Sequence, residues 1–112
     1  MERLDDVRAR IRDFVAQRGW EPFHDPKNLA MAVVSEAGEL AAELRWTPNA
    51  EADAFCATPE ARARISDEIA DVLITTVMLA ERVGVDPVEV MLSKLEKNAL
   101  KYPVSAWKDR YK

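Results

Sequence analysis

Residues 58–84 read TPEARARISDEIADVLITTVMLAERVG, and this stretch decides the fold. Thr58-Pro59-Glu60 is a helix start, with a capping hydroxyl followed by proline at the first helical position, where no N–H is needed. The helix should stop near Val83-Gly84. Between residues 69 and 80 the only charge is Asp71, and apolar side chains go all the way round. A helix of that kind is buried on several sides. A chain of 112 residues offers limited cover for it, so a second subunit is expected to supply the rest.

Working outward, the same start signals recur. Asp25-Pro26 opens a helix that should run to about Leu44–Trp46, before Thr47-Pro48-Asn49. Asp86-Pro87 opens another that reaches about Leu100, with Glu89 placed for a capping box. Upstream, Leu4, Val7, Ile11, Phe14 and Val15 form an amphipathic stripe over about residues 2–18, closed by Gly19. Residues 20–24 read as a connection and 47–57 as a loop, and the tail from Val104 carries no clear signal. Short loops and no strand-like alternation predict an all-α, antiparallel four-helix bundle, oligomeric and of one domain over residues 1–112.

Composition narrows the function. Net charge is −4, which disfavours a broad basic surface for a nucleic acid polymer. No stretch approaches the ~20 apolar residues of a membrane span, and the charged start MERLDDVRARIRDF is unlike a secretory signal. The single Cys56 cannot form an internal disulfide, and one cysteine with one histidine cannot build a zinc site. A cytoplasmic location is expected.

The carboxylates are out of place. At 100° per residue, Glu36 shares a helix sector with Leu29, Ala32, Val33 and Leu40, and Glu39 lies about 60° to one side. Glu43 falls in that sector one turn on. On the next helix Glu68 borders the stripe of Ile65, Ile69 and Val72, and Asp71 follows inside the apolar run. Converging buried carboxylates need cations. Arginine or lysine partners would make them structural, and a partner's basic residues would make the chain a non-catalytic interaction module. A metal held by oxygen alone would be Mg²⁺ or Mn²⁺. A di-iron bundle would need Glu-x-x-His pairs, and the only histidine, His24, lies outside the pattern. Because Mg²⁺ is readily completed by phosphate oxygens, phosphoryl chemistry is indicated.

The run Glu36-Ala37-Gly38-Glu39-Leu40 followed by Asp67-Glu68-Ile69-Ala70-Asp71-Val72-Leu73 resembles the ExxE…ExxD signature of MazG-like pyrophosphohydrolases. Geometry alone leaves Glu43 and Asp67 open; the family pattern selects Glu36, Glu39, Glu68 and Asp71. Residues Trp20-Glu21-x-Phe23-His24-x-Pro26-x-Asn28-Leu29, Trp46, Ser93-Lys94, Asn98 and Tyr102-Pro103 extend the likeness towards the single-domain dCTP pyrophosphatase branch.

The resemblance implies a homodimer or homotetramer that hydrolyses a (deoxy)nucleoside triphosphate, dCTP or a related pyrimidine, to monophosphate and pyrophosphate, a nucleotide-pool role. Glu36, Glu39, Glu68 and Asp71 would be the catalytic, Mg²⁺-holding acids. Lys94, Asn98, Lys101 and Tyr102 would contact the phosphates; Trp20 and Trp46 would frame the base, with His24 nearby. The dCTP-specific relatives have a histidine facing the base on the first helix. Ile11 stands at the matching position, which leaves the base open. Gly38, costly in mid-helix by about 1 kcal/mol against alanine, predicts a close approach there.

Overall fold

The computed structural model describes residues 3–107, and all regular structure among them is helical. In order come α1 (Arg3–Gln17), α2 (Pro26–Leu44), α3 (Ala52–Ala57), α4 (Pro59–Val83), α5 (Pro87–Lys101) and α6 (Val104–Trp107). Two 3-10 turns, Glu21–Phe23 and Asn49–Glu51, lie in the connections.

The start signals act as local chemistry dictates, with two corrections. Asp25 accepts from Asn28 N–H at 2.9 Å, and Asp86 Oδ1 accepts from Val88 and Glu89 N–H at 2.9 and 3.1 Å. Glu89 contributes its backbone N–H, and its side chain makes no return bond to complete a capping box. Thr58 takes the N-cap position of α4, but its hydroxyl donates back to Phe55 C=O at 2.8 Å and caps nothing. Gly19 (φ 64°) and Gly84 (φ 75°) end α1 and α4 in the left-handed region, where a Cβ would be strained. The expected loop at 47–57 contains α3, which packs on α4, and the unassigned tail begins with the short α6.

Helices α2 and α4 pack along much of their length, with α3 and α1 against α4. Arg8 holds α1 in place: its Nε donates to Glu81 Oε1 at 2.6 Å and its Nη1 to Asp86 Oδ2 at 3.0 Å. Arg12 Nε adds a bond to Glu81 Oε2 at 3.1 Å. One carboxylate near the end of α4 thus takes two guanidiniums, and the cap of α5 shares one of them.

The bundle does not close within one chain. Helix α5 makes only slight contact with the others and has no buried residue. The buried apolar residues are Ile11, Val15, Leu29, Ala61 and Ile65, while Ile69, Leu73, Leu92 and Leu95 are exposed. The radius of gyration is 17.3 Å, against about 13 Å for a compact domain of this size. Accessible surface is 8893 Å², where a folded monomer of this mass has roughly 6,200 Å². The all-apolar circumference of α4 is therefore real, and a single chain leaves part of it uncovered.

Candidate active site

The packing of α2 on α4 brings acids together because each helix carries one of them every three residues, one turn apart. One carboxylate oxygen each from Glu36, Glu39 and Glu68 lie within 4.8 Å of one another. Glu36 and Glu68 are half-buried and Glu39 is exposed. The Oε2 atoms of Glu36 and Glu68 are buried without any hydrogen-bond partner. Burial first, and then the charge of Glu39, holds the carboxyls of both Glu36 and Glu68 above their ordinary 4.5. For Glu36 a hydrogen bond with Glu39 and then the charge of Asp71 come next, and for Glu68 the charges of Asp71 and Glu43.

Asp71 does not join the tight triplet. It is exposed on α4, one turn past Glu68, and lines with Glu36 an open cleft of about 580 Å³ between α1, α2 and α4. None of these four acids forms an ion pair among the described residues. Glu43, one of the two further acids that helix geometry left open, does: Arg64 Nε donates to its Oε1 at 2.9 Å. Among the described residues, the structural explanation, arginine or lysine partners, thus holds for Glu43 and not for the other four.

The aromatic and basic positions divide. Trp20 lines the acid cleft beside Phe14, their rings edge to face with centroids 5.6 Å apart. Ile11 is buried in the wall of the same cleft. His24 is 6.1 Å from the Trp20 ring but lines a separate hollow with Glu21, Leu29, Glu81 and Arg82. Trp46 is 84% exposed, with the Arg45 guanidinium 5.2 Å from its ring, and is not in the cleft.

Nor does α5 line the acid cleft. Lys94 borders a different groove with Glu89, Met91 and Lys97. Asn98 is half-buried and its carbonyl accepts from Tyr102 N–H at 2.7 Å. Tyr102 packs edge to face on Trp107 at 5.1 Å, and Lys101 Nζ is 5.3 Å from the Tyr102 ring. The close approach expected at Gly38 is not made by the described residues, among which an added Cβ would meet nothing within 4 Å.

Arg10 also lines the acid cleft, and sequence reasoning passed over it. The signal was present: residues 7, 10, 11 and 14 follow three- and four-residue spacing, so Arg10 stands on the apolar stripe of α1.

These features define an all-helical protein with an unpaired carboxylate cluster beside an aromatic-walled cleft. Residues 32–112 match the MazG-like family, and the chain belongs to that family. It is 42% identical over 101 residues to dCTP pyrophosphatase 1 of Bos taurus and 43% identical over 101 residues to that of Rattus norvegicus. The match to dCTP pyrophosphatase 1 of Homo sapiens is 42% over 100 residues. These alignments cover 89–90% of this chain, which spans only about 60% of the length of those relatives. Among solved structures, a pyrophosphatase from Archaeoglobus fulgidus superposes with a TM-score of 0.83 at 33% identity, over 92% of this chain and 94% of the other.

Proposed function

We propose that this chain is a divalent-metal-dependent nucleoside triphosphate pyrophosphohydrolase that acts on dCTP or a closely related pyrimidine deoxynucleotide. The observation that carries this reading is the pair of buried, unpartnered oxygens of Glu36 and Glu68 inside a cluster that no basic side chain among the described residues pairs with. A folded chain that gathers such groups without a partner leaves a place for something positive.

The donor set fits a hard cation. It is all oxygen and all carboxylate, so Glu36, Glu39, Glu68 and Asp71 would hold Mg²⁺, or Mn²⁺ in its place. Once bound, the cation supplies charge neutralisation for the triphosphate and makes water more acidic. The rest falls to the chain itself. Glu39, the exposed member of the triplet, faces solvent and would take the proton of the attacking water. Water oxygen bonds to the α-phosphorus, the α–β anhydride bond breaks and pyrophosphate leaves. The Phe14–Trp20 pair offers the base a stacking face.

The excess surface, the long radius of gyration and the unburied α5 support a homodimer or a dimer of dimers in which a second copy completes the four-helix bundle. In that assembly Lys94, Asn98, Lys101 and Tyr102 would reach the phosphates, and the exposed Trp46 would frame a base. The relatives named as dCTP pyrophosphatases and the archaeal pyrophosphatase support the reaction and the substrate class. Incubation with the four dNTPs and Mg²⁺, scored for pyrophosphate against phosphate, tests it. Pyrophosphate should appear with the matching monophosphate, fastest for a pyrimidine. Release of neither from any dNTP with Mg²⁺ or Mn²⁺ would refute the reading.

A further inference from the structure

Among the described residues, the cleft beside the acids carries one cationic side chain. Its wall is otherwise the aromatic pair Phe14 and Trp20, aliphatic side chains, Thr75 and the two acids Glu36 and Asp71; among the described residues Arg10 is the only basic one in it. Arg10 is exposed, and among the described residues it makes no ion pair, although two carboxylates share the cleft. Two neighbouring arginines of α1, Arg8 and Arg12, pair with Glu81, and Arg18, just past the end of α1, contacts the Phe14 ring and carbonyl. Glu39 and Glu68 do not line this cleft. The space therefore leads from the edge of the carboxylate cluster into an apolar and aromatic slot, with a guanidinium free to meet a ligand there.

An arginine fork has donors only, and it binds best to two acceptors side by side. Among the bases, cytosine presents O2 beside N3 and guanine presents O6 beside N7. Thymine and uracil interpose N3–H between their carbonyls, and adenine sets a donor beside its acceptors. The neighbouring Ile11 offers no hydrogen bond, and Thr75 spends its hydroxyl hydrogen on the carbonyls of Asp71 and Val72, at 2.8 and 3.1 Å.

Resting on the pyrophosphohydrolase reading for the substrate class, we propose that Arg10 is a specificity-determining residue that reads the base. Its guanidinium donates to the paired acceptors of cytosine, O2 and N3, while the base stacks on the aromatic wall. Phosphate binding is the competing role, and the location favours the base: the slot is apolar, and Arg10 is not drawn into contact with the carboxylates that would gather the phosphates.

The experiment has two arms. Arm one compares kcat/KM for dCTP and dTTP in wild type, Arg10→Ala and Arg10→Lys. A lost bidentate base contact should lower the dCTP value by about 10- to 100-fold and leave dTTP within a few-fold, with lysine restoring little of the ratio. A similar fall for both nucleotides would make Arg10 a phosphate contact and overturn the proposal, as would no change in either.

Arm two measures binding of dCMP and dTMP by calorimetry, without turnover. Arg10→Ala should weaken dCMP by the same factor and leave dTMP unchanged; equal effects on the two would again overturn it. If no dNTP is hydrolysed yet dCMP binding depends on Arg10, the base reading stands and the hydrolase reading falls. If hydrolysis is intact and the dCMP preference survives Arg10→Ala, the reverse holds.

Discussion

Glu36→Gln isolates the electrostatic cost of the carboxylate cluster. In the wild type, one oxygen of Glu36 lies within 4.8 Å of an oxygen on each of Glu39 and Glu68. Two like unit charges at that spacing repel by about 1 kcal/mol at the dielectric of water and about 3.5 kcal/mol at an effective value of 20. The site is half-open and Glu39 is exposed, so solvent screening pulls the sum towards the lower figure. A gain of about 1–2 kcal/mol for the metal-free variant is expected at neutral pH, or roughly 4–16 °C in Tm for a two-state domain of this size. The amide also keeps the volume and leaves an NH₂ group free to donate to Glu39 or Glu68. Thermal unfolding in EDTA at fixed protein concentration measures this. In Mg²⁺ the order should narrow or reverse, because wild type gains ligand-linked stability that the variant loses. A variant several degrees less stable than wild type in EDTA would mean that Glu36 has a stabilising partner, and the case for a cation site would fail.

The remaining predictions follow from the same geometry. Hydrolysis should vanish in EDTA and return with Mg²⁺ or Mn²⁺; full turnover in EDTA would remove the metal from the reaction. Glu43→Gln should keep activity within a few-fold and cost at most ~1 kcal/mol of stability, since it breaks only a surface pair with Arg64, whereas Glu68→Gln should abolish turnover. Stability against pH should show two slopes in EDTA. Glu36 and Glu68, with folded pKa values raised above 4.5, add stability below that value and lose it as pH rises through the raised values. Asp86, held below 3.8 by the backbone N–H groups of Glu89 and Val88 and by Arg8, adds stability above 3.8 and loses it as pH falls through the lowered value. Asp86→Asn should flatten only the acid limb, and Glu36→Gln only the upper one. Leu95→Glu on the exposed face of α5 should shift the mass in solution towards 12.6 kDa by sedimentation; an unchanged oligomer would place the interface elsewhere.

Local chemistry was legible in the sequence. Asp25 and Asp86 cap their helices through their own side chains, and Gly19 and Gly84 stop theirs through a backbone conformation that other residues avoid. Helix periodicity placed Glu36 on the inner face of α2, and the family signature chose Glu68 and Asp71 on α4. What needed tertiary structure was anything set by distance between helices. Six residues are too few for α3 to show a period, and it forms against α4. The family signature had already set Glu43 aside; that it pairs with Arg64, 21 residues away, no spacing rule identifies. Spacing puts Arg10 on the apolar stripe of α1, but only the packing of α1 with α2 and α4 makes it line a cleft with Trp20 and the acids. Residue type and periodicity fix which face a side chain occupies. Which groups meet across that face depends on how the helices pack, and for α5 the described residues of the chain leave that face uncovered.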